Sequence, residues 1–516
     1  MEFNNPSEIV KDLSFGDEAQ KKIMVGVDKL TEAVASTLGA SGKCVIYEDA
    51  LGKPIITKDG VTVANSVVLI DPVENIGATL IKEAAQKTVK EAGDGTTTST
   101  VLAHSILKEY YASNTKDLRS VKEGINKAKD KVLKYLDKIS IPVKDNMLNH
   151  VAKISTNNDE TLGNIIAEAY QKVGKDGVVL MEESDNEKTY VEIVDGVQFD
   201  SGLKSPHLIT DKEKNKVELE EPLVLLVDSE ITTIRKIQAV LEYAIKNKKS
   251  ILIIGNLAQQ PLSALIMNKV KGNIKINVID PPGFSLTRRD MLDDLAILTG
   301  ARVINEELGD DLDLIDESFL GSAIKAVTDD NNTVITVGKQ TEEVKDRIDS
   351  LSEQIKKEKN PYLLKKLEER KAMLSGSVGI IKVGADSKVE LKEKKDRVED
   401  AIYAVKAALK QGIVAGAGIA LHNAADNLAV ESDGESILYK AIKRPYKRIL
   451  ENAGITYQPS IKKGWGIDVV TGDSVDLVKS GIIDPVLVTK TALTNACSVA
   501  TTIMSADCII SNVREQ

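Results

Sequence analysis

Apolar positions near the start of the chain recur every three to four residues. Ile23, Val27, Leu30 and Val34 fall on one helical face, which predicts a helix over about 17–38 that stops at Gly39-Ala40-Ser41-Gly42. The runs CVIYED, PIITKDG and VTVANSVVLI are rich in β-branched residues and predict short strands. A helical pattern then runs through 76–92 and is cut by Gly93-Asp94-Gly95. A new helix is predicted to open in Thr96–Thr100, with Leu102 and Ile106 at helical spacing.

The texture changes between Val191 and about Gly379. The strand-like runs LVLLVD, SILIIG, KINVID and ARVIN alternate with helical segments at 234–247, 259–271 and 288–299, the pattern of a separate α/β unit. From 341 to 374 the chain is highly charged and breaks at Asn360-Pro361. Val344, Ile348, Leu351 and Ile355 form a narrow stripe answered by Leu364, Leu367 and Leu374, which predicts an antiparallel helical hairpin on the surface of that unit. Beyond Gly379 the helical style of the N-terminal part returns in RVEDAIYAVKAAL and TKTALTNACSVATTIM. A middle unit inserted into a domain made of both chain ends is the expected organisation.

Length and charge narrow the classes. At 516 residues the chain is long enough for about three domains. With aromatics at 3%, the cores must be built from Val, Ile, Leu and Ala. The formal charge of -10 argues against a general nucleic-acid binder. The opening MEFNNPSEIVKD has neither the basic stretch nor the apolar run of a signal peptide. The longest uncharged windows, Ser250–Asn268 and Thr491–Ala506, are interrupted by polar residues, so no membrane span is expected. Cys44, Cys497 and Cys508 lack metal-ligand spacing and cannot all pair, which fits a reducing, cytoplasmic compartment.

Two motifs resemble nucleotide loops but fail on spacing. Gly39-Ala-Ser-Gly-Lys43 has two residues between its glycines where a P-loop needs four, and Cys44 follows where a hydroxyl would hold Mg²⁺. Gly416-Ala417-Gly418 has Leu421 at the third glycine position of a dinucleotide fingerprint. Four scattered histidines argue against a histidine-based metal site, and neither HExxH nor GxSxG occurs. Ala92-Gly-Asp-Gly-Thr-Thr-Thr98 is more informative. Glycines on both sides of Asp94 free the backbone, and hydroxyl residues open the next helix, whose unpaired amides suit phosphate. Asp94 would fit such a nest with Mg²⁺ bridging carboxylate and phosphate; an ordinary capped helix start is the competing reading.

In order and spacing, TLG, ITKDGVTVA, AGDGTTTSTVLA, KEKKDRVEDA, GIVAGAGIAL and GIIDPVLVTKTAL together closely resemble the group I (GroEL-type) chaperonins over nearly the whole chain. The resemblance implies a multidomain α/β protein. A mostly helical equatorial ATPase domain would comprise 1–141 and 412–516, and a small α/β intermediate hinge domain 142–195 and 379–411. An α/β apical polypeptide-binding domain would span 196–378, inserted between the chain halves. It implies ATP and Mg²⁺ as cofactors, with K⁺ left open as a further cation. ATP-binding positions would be Thr37, Leu38, Gly39, Ala40, Lys58, Asp94, Gly95, Thr96, Thr97, Thr98, Gly416, Ala417, Gly418, Asp468, Val469, Val470 and Asp484. Asp94 would bind the metal, and Asp400 and Asp59 would be the hydrolytic acids. Leu203, His207, Leu208, Leu241, Ile245, Leu262, Ile266 and Met267 would line an apolar groove for polypeptide, although their periodicity alone reads as core packing. Implied partners are unfolded or partly folded polypeptides, a lid-forming co-chaperonin and further copies of the chain in a ring of seven, with neither nucleic acid nor membrane.

The activity implied is ATP-driven folding of bound polypeptides inside the ring cavity. A ring ATPase or scaffold with reduced or altered folding activity is the alternative. The pattern has departures. Ala40 stands where proline is usual, Ala417 replaces a glycine, and Asp468 replaces a more usual Asn. Ser201 and Lys388 occupy positions usually paired as Arg and Glu between subunits, so that ion pair is not expected to form.

Overall fold

The computed structural model describes residues 11–49, 51–113, 115, 117–156, 159–174, 178–184, 186–212, 215–283, 286–338, 341–358, 360–457 and 462–512. The chain divides into two compact units, Met1–Glu168 with Glu183–Tyr190 and Lys382–Gln516, and Ala169–Glu182 with Val191–Ile381.

In the first unit the N-terminal stripe is buried as its spacing requires: Val27, Leu30 and Val34 have no exposed surface in the helix Gly16–Ala35. That helix packs on Pro72–Ala92 at backbone contact. A Cβ added at Gly26 would lie 1.8 Å from the Glu74 carbonyl oxygen, and one at Gly77 would lie 2.5 Å from that of Ile23. The helix Val486–Met504 packs against Pro72–Ala92, Thr96–Ala112 and Leu118–Ile139, and buries Ala492, Leu493, Ala496 and Cys497. Strand Lys11–Phe15 pairs antiparallel with Cys508–Asn512, and Val45–Glu48 with Pro54–Thr57.

One expected strand is a helix. VTVANSVVLI follows Asp59, whose carboxylate accepts the Val61 and Thr62 amides and caps the helix Gly60–Ser66. Two amides satisfied at the first turn, with Val63 and Ala64 buried, outweigh the β-propensity of the valines.

The second unit is built on sheets. Strands Val303–Ile304, Leu223–Ile231, Ile251–Leu257 and Ile276–Ile279 lie side by side, all parallel, with Gly321–Ser322 antiparallel on Leu223–Ile231. Ile251–Ile254 and Ile276–Ile279 are buried on both faces, which is why these strands read as apolar runs interrupted only by the buried Asn277. A six-stranded sheet runs Val178–Glu183, Ser377–Val383, Tyr190–Phe199, Thr333–Thr336, Lys325–Thr328, Val217–Glu220.

The charged stretch forms the expected hairpin of Glu342–Lys357 and Pro361–Leu374, with Val344, Leu351 and Leu374 buried. The hairpin packs on the helix Leu286–Thr299 through a contact no periodicity reveals. Asp294, fully buried, accepts from Arg347 Nε at 2.8 Å and from Arg370 Nε at 2.7 Å, and Arg370 also reaches Asp290 at 2.9 Å. Ser201 is satisfied inside this unit, where its hydroxyl donates to the Asp280 carbonyl at 2.5 Å. Among the described residues all three cysteines are free thiols, and no helix is long and apolar enough to cross a membrane.

Candidate functional site

The first unit encloses a cavity of about 1080 Å³, at the upper end of the volumes that small-molecule sites occupy. One wall is the Gly93-Asp94-Gly95 turn. Gly93 closes the helix Pro72–Ala92 at φ 76°, and a Cβ there would lie 2.3 Å from the Tyr403 side chain. Gly95 opens the helix Thr96–Ala112 at φ 98°, where a Cβ would lie 2.8 Å from Val488. Both glycines are therefore required by sterics as well as by backbone conformation. The Ser99 amide bonds back to the Gly95 carbonyl at 2.9 Å, so the amides of Thr96, Thr97 and Thr98 precede the first helical bond.

A second helix start abuts this one. A Cβ at Gly60 would lie 2.3 Å from Thr97 Oγ1, so the N-termini of Gly60–Ser66 and Thr96–Ala112 stand together at the cavity. Each contributes roughly half a positive charge; the free amides come from Thr96–Ala112, because Asp59 already accepts those of Val61 and Thr62, and together they favour an anion. Thr37, Leu38, Gly39 and Ala40 line the cavity where the helix Gly16–Ala35 ends. That end is held by Asn452, whose side-chain amide donates to the Ala35 and Leu38 carbonyls at 2.9 Å each.

Three carboxylates meet here. Asp59 caps its helix, Asp94 receives the Gly95 amide, and Asp400 comes from the helix Lys388–Gln411. All line the cavity, and none takes part in an ion pair among the described residues. The carboxyls keep a face on the cavity but are otherwise walled in. Burial pushes the Asp94 pKa up, and the charge of Asp59 adds to the rise. Burial also raises Asp400 well above the usual carboxylate range, reinforced by Asp94 and Asp59. Such a crowd of acids disfavours full ionisation unless a cation joins it.

A further wall of the cavity comes from the C-terminal part of the chain. Strand Ile413–Ala415 pairs with Ile483–Pro485, setting Val414 opposite Asp484. Burial raises the Asp484 pKa to about 6, opposed by a hydrogen bond from the Gly418 amide. Gly418 has φ 76° and Ala417 φ 54°, so Ala417 holds a left-handed conformation that costs a non-glycine residue about 1–2 kcal/mol. Asp468, Val469 and Val470 form the facing lip. The Asp468 carboxylate is taken by its own turn, accepting the Val470 amide at 2.9 Å.

Thr37, Leu38, Gly39, Ala40, Lys58, Asp59, Asp94, Gly95, Thr96, Thr97, Thr98, Asp400, Ala417, Gly418, Asp468, Val469, Val470 and Asp484 thus line one cavity. Gly416 stands behind the wall, where a Cβ would lie 3.1 Å from Asp484 Oδ1. Sequence reasoning missed His150, Lys153 and Arg397, which also line it, and missed Tyr446, whose hydroxyl accepts the Ile467 amide at 3.2 Å beside the lip. Lys388, a position set aside as an interrupted subunit pair, is on the cavity wall. Among the described residues no group of three or more His, Cys, Asp or Glu can hold a metal unaided. A metal at Asp94 would need oxygens from its ligand as well, the usual situation of Mg²⁺ on a phosphate.

The residues expected to form the apolar groove lie in the second unit, and burial divides them. Leu208 has no exposed surface, and Leu241 and Leu262 are each 7% exposed. These three are core residues, so the expectation of an open apolar face does not hold for their side chains: they pack against the sheet behind the helices. Leu203 and Ile266 are half-buried on the same core. Ile245, Met267 and His207 reach solvent.

Comparison with known proteins gives one family and a matching fold. The family model of the TCP-1/cpn60 chaperonin family matches residues 30–514. Two crystal structures of the chaperonin gp146 from the bacteriophage EL 2 (Pseudomonas aeruginosa), both in the presence of ATP-BeFx, are similar to this chain. Crystal form II superposes with a TM-score of 0.71 at 21% identity, covering 98% of this chain and 99% of that one. Crystal form I gives a TM-score of 0.64 at the same identity and coverage.

Proposed function

Because this chain belongs to the TCP-1/cpn60 chaperonin family, we propose that it is an ATP-driven chaperonin that captures non-native polypeptides and promotes their folding inside a ring. The observation that carries the reading is the convergence of Asp59, Asp94 and Asp400 on two helix N-termini in one cavity. The amides of Thr96–Thr98 and the turn Thr37–Gly39 receive phosphate oxygens, and Lys58 offsets their charge. Asp94 and the phosphates together hold Mg²⁺, which supplies neutralisation of charge on the transferred group. Asp400, its pKa raised by burial and by its acidic neighbours, orients the attacking water and accepts its proton, with Asp59 as second acid. Gly416, Gly418 and Asp484 hold the nucleoside, with 468–470 along the base.

In the same reading the chain has three domains with the boundaries given above, assembles as a sevenfold ring in the cytoplasm and takes a lid-forming co-chaperonin. Ile245 and Met267, exposed on neighbouring helices of the inserted unit, offer apolar surface to clients. Purified protein should release phosphate from ATP, stop on chelation of Mg²⁺, and raise the refolding yield of a denatured protein only when ATP is supplied. Absence of phosphate release with Mg²⁺ present would overturn the reading.

The burial of Leu208, Leu241 and Leu262 favours one alternative, a ring ATPase or scaffold with reduced or altered folding activity. Hydrolysis without any gain in refolding yield would select it.

A further inference from the structure

The parallel sheet of the second unit brings two turns to one edge. Helix Gln238–Lys246 returns the chain from Leu223–Ile231 to Ile251–Leu257, and helix Gln259–Val270 returns it to Ile276–Ile279. The register sets Leu223 opposite Ile251 and Ile251 opposite Ile276, so both turns stand where the strands begin. The Ile251 amide donates to the Lys275 carbonyl at 3.0 Å, and that of Leu223 to the Ser250 carbonyl at 2.8 Å.

Two kinds of side chain collect at this edge. Ile245, Met267 and Val270, in the last turns of the two helices, are 49%, 58% and 68% exposed. Around them Lys246, Lys248, Lys271 and Lys275 are exposed. From Tyr243 to Lys275 the sequence carries six lysines and no acid, in a chain whose net charge is -10. Glu242 accepts from Gln238 at 2.6 Å, and Glu221, at the same sheet edge, is paired with Lys249 at 2.5 Å. Lys212 adds further positive charge beside Lys269. The two helix C-termini together carry about one negative charge, which four lysines exceed. At physiological salt, fields reach only about 8 Å, so the local surplus of positive charge outweighs the acidity of the rest of the chain.

We propose that this edge selects its clients by charge: it receives extended polypeptide segments in which aliphatic and acidic side chains alternate. This rests on the capture function proposed above and deepens it. In an extended segment successive side chains point to opposite sides. Aliphatic groups bury on Ile245, Met267 and Val270, while carboxylates on the other side lean to the flanking lysines.

The test uses the full-length protein without nucleotide and three labelled twelve-residue peptides, alternating Leu with Glu, Leu with Ser or Leu with Lys. At low salt the Leu/Glu peptide should bind at least about tenfold more tightly than the Leu/Lys peptide, an advantage that shrinks several-fold at 0.5 M NaCl. The variant Lys246→Gln/Lys248→Gln/Lys271→Gln/Lys275→Gln should lose that advantage yet keep its affinity for the Leu/Ser peptide. Equal, salt-insensitive affinity for all three peptides would overturn the charge selection and leave capture standing. Binding of none of them, together with failure to retain a denatured protein, would overturn capture itself. Binding to phosphatidylserine vesicles with no preference for the Leu/Glu peptide would assign the edge to an anionic membrane surface and likewise overturn the proposal.

Discussion

Each unit of the chain holds aspartates away from bulk water, and the two sets are treated in opposite ways. In the second unit Asp294 is fully buried but gripped by Arg347 and Arg370, the latter also holding Asp290. Lys325 repeats the device with the sign reversed: burial alone would lower its pKa, but Glu182, Glu218 and Glu220 hold it above the ordinary lysine range. In the first unit Asp59, Asp94 and Asp400 crowd one another in the cavity with no such ion-pair partner, and burial together with the neighbouring acids raises the pKa of Asp94 and of Asp400. A charge paired at this expense serves the fold; acids left together serve what enters the cavity.

That contrast can be broken most sharply at Asp400. Asp400→Ala should cut phosphate release by about 10²–10⁴-fold while nucleotide affinity changes little, because the acid acts on the water rather than on the bound phosphates. Steady-state turnover beside nucleotide titration reads both quantities, and unchanged turnover would remove Asp400 from the chemistry. The counterpart, Asp294→Ala, should leave nucleotide binding alone but destabilise the second unit by about 3–5 kcal/mol, since two arginines lose their buried partner. Urea unfolding checks it, and a loss below about 1 kcal/mol would mean that the cluster contributes nothing special.

Asp484 gives a smaller effect confined to a pH window. Its folded pKa of about 6 lies above the ordinary aspartate value of 3.8, so the folded chain keeps a proton that the unfolded chain has released. Its contribution to stability is therefore lost as pH rises from about 4 to 6 and stays lost above. Asp484→Asn should flatten that part of the stability profile by about 1–2 kcal/mol, discounted because the carboxyl still faces the cavity. Smallest is Ala417→Gly, which relieves the left-handed strain at φ 54° and should raise stability by about 1 kcal/mol, read as a shift of the urea midpoint. A decrease would show that the Ala417 methyl group packs usefully.

Local periodicity made much of this fold readable. The stripe Ile23, Val27, Leu30, Val34 is buried as its spacing implies, as are Val344 and Leu351 of the hairpin stripe. The segment after Asp59 misled because its valines favour a strand, while the deciding cap is a single side chain two to three residues from the amides it receives. Within the cavity, local chemistry around the glycine-flanked Asp94 left an ordinary capped helix start open beside a phosphate nest, and Asp400 drew notice only through resemblance. The rest is non-local. Asn452 closes a helix end more than 400 positions earlier in the chain, and Arg370 finds Asp294 from 76 residues away. Which apolar residues of the inserted unit face its core also depends on packing, so Leu208 and Met267 differ completely in exposure.

The cavity draws its walls from 37–155 and from 388–489, with the whole inserted unit between them in sequence. During synthesis the ribosome therefore releases every residue of the second unit before the first pocket wall meets its counterpart. A nascent chain can finish its inserted sheets early but cannot complete the cavity until Asp484 has left the exit tunnel.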